Sequence, residues 1–249
     1  MYQIRQSKIK EFITERKFAS IRELRALCPE VAAMTLHRDL DALAREGSIV
    51  KLRGGARVAG PSTESSFNAR ESENVDAKNI IAQKAVRLIN KGGAVFFDAG
   101  TTALAVVRAL PGFELTVITN GANFANELQR FSNVTTYMCC GALNRANMAL
   151  SGQSTLKFLE GVNIDLGFIG VSGFSEESGF TCGKESEMQV KKLVVRKARK
   201  SVALMDSTKL TRLLPYTFAT LNEVDYVVCD IAPPDNFMRA AKESGVTVL

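Results

Sequence analysis

Met34-Thr35-Leu36-His37-Arg38-Asp39-Leu40-Asp41-Ala42-Leu43 is the stretch on which the reading of this 249-residue chain turns. Taken as a helix, it sets Leu36, Leu40 and Leu43 at i, i+4 and i+7, which makes one apolar seam. At about 100° per residue the opposite side carries Met34, Arg38, Asp41 and Arg45, with Thr35 and His37 on the flanks. An apolar back and a front of small polar and basic side chains suit a DNA major groove. Thr reaches a phosphate or a thymine methyl, and Arg grips guanine in two-pronged fashion. A solvated amphipathic helix has the same periodicity, so the neighbouring sequence has to decide.

Upstream, Ile9, Phe12 and Ile13 form a helical stripe with Ile4 a turn earlier, and Phe18-Ala19 interrupts it. Ser20-Ile21-Arg22-Glu23 is a capping box that opens a second helix from Ile21 to about Leu27, with Leu24 and Leu27 inward and Pro29 beyond its end. Downstream, Gly47 ends the central helix, and Arg45 in its last turn complements the helix dipole. Residues 48–58 then alternate apolar and basic side chains around Gly54-Gly55, the pattern of a small β-hairpin. Three helices and a basic hairpin make a winged helix-turn-helix. Lys51, Arg53 and Arg57 are its candidate phosphate contacts, and Ser20, Met34, Thr35, His37 and Arg38 complete the candidate DNA-binding set.

Charge supports this division. Residues 1–58 hold twelve basic and seven acidic side chains, a surplus of five out of the net +6 of the whole chain. The N-terminal quarter is the polyanion-binding part, and the remainder is nearly neutral. A hydrophobic fraction of 46% suffices for real cores, yet no apolar run approaches the roughly 18 residues that span a bilayer. The first residues lack the apolar middle of a signal peptide, so a cytoplasmic protein without membrane contact is expected. Five cysteines, an odd number without Cys-x-x-Cys, fit reduced thiols. His37 is the single histidine, which excludes a histidine-rich zinc site and argues against a His-dependent nucleophile.

Gly60-Pro61-Ser62-Thr63-Glu64-Ser65-Ser66 has linker composition. Asn68 to Asn90 reads as one helix closed by Gly92-Gly93. Strands are then predicted at Ala94 to Phe97, Leu115 to Thr119, Val134 to Met138, Leu166 to Gly170, Val202 to Met205, Tyr226 to Cys229 and Val246 to Leu249. Helices are predicted at Thr102 to Leu110, Asn123 to Leu128, Thr155 to Leu159, Ser186 to Ala198 and Asn236 to Ser244. Continuous apolar strands separated by helices argue for a mainly parallel α/β sheet covered on both faces. The expected domains are 1–58 (winged helix-turn-helix), 59–75 (linker) and 76–249 (α/β).

Ligands of such sheets bind beyond the carboxyl ends of strands. Four of those ends are polar: Asp98-Ala99-Gly100-Thr101-Thr102, Thr119-Asn120-Gly121-Ala122, Gly170-Val171-Ser172-Gly173 and Asp206-Ser207-Thr208-Lys209. Glycine permits a tight turn, hydroxyls and helix amides hold a phosphate, and Lys209 adds a cation. Together they point to an anionic ligand. The basic run Lys191-Lys192, Arg196-Lys197 and Arg199-Lys200 reads as the solvated face of a helix whose core face is Val190, Leu193, Val194 and Ala198. Cys139-Cys140 reads as buried small side chains.

Both halves resemble DeoR-type bacterial transcriptional regulators. In that family the DNA-reading helix runs roughly Thr-Ile-Arg-Arg-Asp-Leu and a Gly-Gly-Ala wing follows. Here these are Thr35-Leu36-His37-Arg38-Asp39-Leu40 and Gly54-Gly55-Ala56. His37 replaces the usual first Arg, which weakens one contact and introduces a pH-sensitive group. Ala32 replaces the usual capping Ser.

Residues 76–230 resemble the family's sensor domain, which is related to ribose-5-phosphate isomerase. The matching motifs are Asp98-Ala99-Gly100-Thr101-Thr102, Ile118-Thr119-Asn120, Gly141-Ala142-Leu143, Phe168-Ile169-Gly170, Gly179-Phe180-Thr181, Glu187 and Asp206-Ser207-Thr208-Lys209. The resemblance implies a phosphorylated sugar or related metabolite as effector. Gly100, Thr101, Thr102 and Lys209 would hold its phosphate, and Asp98, Asn120 and Glu187 would lie near sugar hydroxyls. Gly141, Gly170 and Ser172 complete the effector-binding set.

Ser172 stands where the family often has an acid. Isomerisation needs a base beside a carbonyl and an acid or cation at the oxygen. Glu187 and Lys209 are then relics of such a pair, and binding without catalysis is expected, with no cofactor and no metal. The implied partners are double-stranded operator DNA, a phosphorylated sugar effector and further copies of the chain, as a dimer or tetramer. The resulting expectation is a repressor of a carbohydrate-use operon. An isomerase with a DNA-binding appendage, or a DNA-binding protein whose α/β half only oligomerises, are the alternatives.

Overall fold

The computed structural model describes residues 2–16, 18–45, 48–52, 54–58, 66–210 and 212–249. The chain divides into two compact units, Met1–Ala69 and Arg70–Leu249. Gly47, Arg53 and the side chain of Arg45, which the sequence reading singles out, lie outside the described residues, as do 59–65 of the expected linker.

The first unit runs α1 (Tyr2–Arg16), β1 (Phe18–Ser20), α2 (Ile21–Leu27), α3 (Ala33–Arg45), β2 (Ile49–Leu52) and β3 (Gly55–Val58). Its core joins Ile9 and Ile13 of α1, Leu24 of α2, and Leu36, Leu40 and Leu43 of α3, so the predicted seam is the buried one. The capping box forms at α2: the Ser20 hydroxyl accepts from the Glu23 amide, and the Glu23 carboxylate accepts from the Ser20 amide. Phe18-Ala19, read as a mere interruption, is a short strand that pairs antiparallel with β3, giving the sheet order β1-β3-β2. That pairing requires glycine at 55, where a Cβ would stand 2.4 Å from the Ala19 carbonyl oxygen. Gly54 turns the hairpin at φ +90°.

One buried charge ties α1 to α3. Asp39 is fully inaccessible and accepts from Arg5 Nε (2.6 Å), Arg5 Nη2 (3.3 Å) and Gln6 Nε2 (3.2 Å). A buried carboxylate is tolerated because these donors replace its water.

Between 66 and 90 the expected single helix is broken. α4 (Phe67–Ser72) and α5 (Val75–Ala85) are separated at Asn74, whose backbone is left-handed (φ 50°, ψ 41°), and a 3-10 turn (Val86–Leu88) follows. Periodicity ran through the break because Asn at one position changes no apolar spacing. α4 also places a helix inside the stretch expected as linker.

In chain order the remaining elements are β4 (Ala94–Phe97), α6 (Thr101–Arg108), β5 (Leu115–Thr119), α7 (Phe124–Leu128), β6 (Val134–Met138), β7 (Ala142–Asn144), β8 (Ala149–Ser151), α8 (Gln153–Glu160), β9 (Leu166–Gly170), β10 (Gly173–Ser175), β11 (Gly179–Cys182), α9 (Glu185–Lys197), β12 (Lys200–Met205), β13 (Tyr216–Ala219), β14 (Tyr226–Cys229), α10 (Asp235–Glu243) and β15 (Thr247–Val248). Seven strands form one sheet in the order β15-β14-β12-β9-β4-β5-β6, and every neighbouring pair is parallel. These are the seven predicted strands.

Side chains alternate across the sheet. Phe96, Ile169, Ala203 and Val227 share a core with α8, α9 and α10, while Phe97 and Phe168 stack on the other face with centroids 5.1 Å apart. Helices α5 and α6 pack together, α5 against β14 and α6 against β9. The three-stranded antiparallel sheet β10-β11-β13 and the hairpin β7-β8 were not predicted, because strands of three or four residues offer too short a pattern.

Leu40→Ala is expected to cost the first unit about 2–5 kcal/mol, the usual range for an emptied core leucine. Amide hydrogen exchange should quicken in α1–α3 and stay unchanged in the seven-stranded sheet; equal change in both would show that the two cores do not behave separately.

Candidate functional sites

On α3 the exposed and buried faces fall as the sequence requires. Met34 is 66% exposed, Arg38 and Asp41 are exposed, Thr35 and His37 are half-buried, and Leu36, Leu40 and Leu43 are enclosed. Arg38 and Asp39 are neighbours with opposite fates, one facing out and the other buried on Arg5. With Ala32 at the helix entry, only a backbone carbonyl serves there, accepting from Thr35 and Leu36. Lys51 of β2 is exposed and forms an ion pair with Asp41 of α3 at 2.6 Å, which links the hairpin to the front of the helix. Arg57 of β3 is also exposed. The Ser20 hydroxyl both donates to and accepts from Glu23, so this candidate is engaged as a helix cap.

In the second unit, strand order decides where polar groups converge. From β4 the sheet grows through β5 to β6 on one side, then returns to β9 beside β4 and grows outward on the other. Connections leave β4 and β9 in opposite directions, and the opening this creates at their carboxyl ends is where ligands of parallel sheets bind. Asp98 follows β4 and Gly170 ends β9. Asp98 Oδ2 accepts from the Gly170 amide at 3.1 Å and is bonded to Lys191 Nζ, which also donates to the Gly170 carbonyl at 2.7 Å.

Lys191 is 5% exposed and lies over the Phe218 ring. Contrary to the expected solvated basic face, α9 buries Lys191 and aims it at the strand ends. Burial by itself would push its ammonium down. The Asp98 charge and hydrogen bond outweigh that, with Cys182 and Glu187 adding to them, and hold the pKa above the ordinary lysine value. On the lysine side, the stabilisation from this pair is kept below the ordinary lysine value and is given up as pH rises through the raised one. Burial pushes the neighbouring Cys182 thiol up to about 12.

The other candidates arrange around this pair. Asn120 is buried, accepts from the Ala99 amide at 2.8 Å and donates to the Leu150 carbonyl at 3.2 Å, so its amide fastens the turn after β4 to the β7-β8 hairpin. Glu187, one turn before Lys191, is buried and accepts from Asn147, a residue the sequence reading did not select. Ser172 is buried, and its amide donates to the Thr181 carbonyl. Gly141 has φ +135°, and a Cβ there would stand 2.6 Å from the Ser151 carbonyl oxygen, so packing alone requires this glycine.

Gly100 is different. Its φ of −173° is extended backbone, and nothing lies within 4 Å of where a Cβ would be. Open space therefore adjoins the first turn of α6, where Thr101 is buried, Thr102 is half-buried, and the first amides have no partner within the helix. Lys209 lies 3.6 Å from Asp206, and the charge of Glu187 acts on Lys191. Cys139 is buried as expected, but Cys140 is exposed. Among the described residues no group of three or more His, Cys, Asp or Glu is arranged to hold a metal, and no helix is long and apolar enough to cross a membrane.

A winged helix-turn-helix joined to an α/β domain with a polar switch point is the build of a ligand-responsive transcriptional regulator. Residues 5–61 match the DeoR-like helix-turn-helix domain and residues 73–231 the DeoR C terminal sensor domain, so the chain belongs to the DeoR family. It is 36% identical to the HTH-type transcriptional regulator GlpR of Haloferax volcanii, over 86% of this chain and 85% of that one. It is 33% identical to the HTH-type transcriptional repressor GlcR of Bacillus subtilis (88% and 85%) and 28% identical to the glycerol-3-phosphate regulon repressor of Escherichia coli (94% and 93%). Among solved structures, ribose 5-phosphate isomerase A of Methanocaldococcus jannaschii aligns over 56% of each chain with a TM-score of 0.42 and 20% identity.

Lys191→Met is expected to cost about 3–5 kcal/mol, because it strands the buried Asp98 carboxylate. Adding Asp98→Asn should recover most of that loss. Urea melts of the three proteins check this, and equal losses in the single and double variants would mean that the pair is not what couples these positions.

Proposed function

We propose that the protein is a cytoplasmic repressor of a carbohydrate-use operon that binds operator DNA as a homo-oligomer and releases or engages it in response to a phosphorylated sugar or related metabolite. Met34, Thr35, His37 and Arg38 read base edges in the major groove, and Lys51, Arg53 and Arg57 contact phosphates, while Ser20 stays engaged as the cap of α2. Two copies related by a two-fold axis meet two half-sites.

The observation that carries the ligand reading is the open space at Gly100 beside the first turn of α6, next to a buried Asp98–Lys191 pair at the switch point. The amides and hydroxyls of Gly100, Thr101 and Thr102 take the phosphate, helped by the helix dipole. Lys209 supplies a cation, and Asp98, Glu187 and Lys191 face the sugar hydroxyls. The regulon named for the Escherichia coli relative supports a phosphorylated effector. Glu187 is bonded to Asn147, and Ser172 stands in place of an acid, which favours binding over turnover.

Two outcomes are expected. Arg38→Ala should weaken operator binding by about 1–3 kcal/mol, the discrimination carried by one base-reading arginine, with melting unchanged; unaltered affinity in a gel-shift titration would displace Arg38 from the groove. In a thermal-shift screen of phosphorylated sugars against their unphosphorylated parents, a ligand at about 100 times its dissociation constant should add about 2.7 kcal/mol. The gain should disappear in Thr101→Val and not in an exposed control, and silence of the whole panel would count against the phosphate site.

A further inference from the structure

The chain passes from the first unit to the second within α4, where Arg108 of α6 holds Glu71 at 2.7 Å, and the residue at which its course then breaks is Asn74. The sequence from 68 to 90 has the periodicity of one continuous helix, yet the structure breaks it at Asn74 with a left-handed backbone. Asn is among the few non-glycine residues that visit this conformation. Its side chain holds the break in place: Asn74 Nδ2 donates to Asp206 Oδ1 and to Thr208 Oγ1, each at 3.5 Å.

Both acceptors belong to the turn after β12, at the ligand end of the sheet. Asp206 is 2% exposed; its Oδ1 caps the 3-10 turn Ser207–Lys209 by accepting from the Thr208 amide at 3.1 Å, and its Oδ2 faces Lys209. The grip continues along α5. Lys78 is buried and donates to the carbonyls of Arg70 and Glu73, closing the end of α4. Lys84 donates to the Cys229 carbonyl at 2.7 Å, and the adjacent Asp230 carboxylate accepts from the Ser207 amide and hydroxyl at 2.8 and 3.1 Å. The segment arriving from the DNA-binding unit is thus bonded to the same turn that carries Lys209.

We propose that residues 67–85 switch between the broken form, clasped by Asn74 on Asp206 and Thr208, and a continuous helix, and that an anion taken up at the Asp206–Lys209 turn selects between them. The inference rests on the phosphate reading given under Proposed function. An anion that draws Lys209 and the Thr208 hydroxyl to itself redistributes the bonds of Asp206, and the partners of Asn74 change with them. Without its clasp, Asn74 relaxes to the right-handed conformation that its neighbours already favour. A ligand acts on such an equilibrium only through its differential contacts with the two forms, and this turn makes different contacts in each.

Two variants separate the parts. Asn74→Ala removes the clasp and favours the continuous helix; Asn74→Gly removes the clasp and keeps the left-handed turn available. Both are studied as full chains on a duplex that the wild-type protein selects from random-sequence DNA. The added probes are glycerol 3-phosphate, inorganic phosphate, and the phosphosugars of the thermal-shift panel. Wild type should change DNA affinity by about 5- to 150-fold with a probe that stabilises it, the usual span of allosteric coupling. Each variant should keep the thermal shift while its DNA response falls below about 2-fold, against that same span. Retention of the full response in both variants overturns the clasp. If no probe stabilises wild type, the phosphate reading fails and the ligand-free arm decides on the clasp. There, Asn74→Ala should protect amides 73–78 from exchange and shift DNA affinity relative to Asn74→Gly, and identical exchange and affinity in the two variants would overturn it.

Discussion

Lys191 crosses from α9 to the carboxylate that follows β4 and to the carbonyl that ends β9, closing the junction at which the sheet changes its direction of growth. The strands can be added outward on both sides only because β4 and β9 lie side by side with their connections diverging. The polar groups there are far from one another in sequence: Asp98, Gly170 and Lys191 meet through topology alone. Two charges withdrawn from water are costly, and their mutual attraction repays the cost only with good geometry and further hydrogen bonds, which the Gly170 amide and carbonyl provide. A hydrophobic pair would fill the volume equally well. A retained charge pair leaves the junction polar, a surface that a polar ligand meets without having to desolvate against hydrocarbon.

The DNA-binding unit uses the same device at smaller scale. Asp39, in the middle of α3, turns inward and fixes α3 on α1 through Arg5 and Gln6, so the helix is anchored by the acidic residue next to Arg38 as well as by leucines. The direction of Arg38 follows from that anchor, because adjacent residues on a helix point about 100° apart.

Local periodicity carried the reading a long way. The leucine seam, the capping box at Ser20, the hairpin at Gly54-Gly55 and seven parallel strands are all patterns written within ten or so residues, and each stands where its spacing put it. What stayed hidden was non-local. Phe18-Ala19 becomes a strand only because β3 returns beside it. Lys191 sits between Val190 and Val194 on a helix with a clear core face, and nothing nearby reveals that Asp98, 93 positions earlier, awaits it. Asn147 reaches Glu187 from a three-residue strand hairpin too short to leave a pattern. Asn74 breaks a helix that its apolar spacing would continue, since the groups stabilising the break are more than 130 residues away.

The pairing of Lys51 with Asp41 bears on how the protein meets a polyelectrolyte. DNA carries condensed cations, and each phosphate neutralised by a protein cation sets some of them free, which makes log K fall by about 0.9 per phosphate for each unit of log salt. Lys51 does not arrive as a naked charge: a carboxylate 2.6 Å away already balances it. A phosphate that took up Lys51 would exchange one counter-anion for another and leave the Asp41 charge beside it. Counting Lys51 as a full phosphate contact would thus overstate the salt slope of DNA binding.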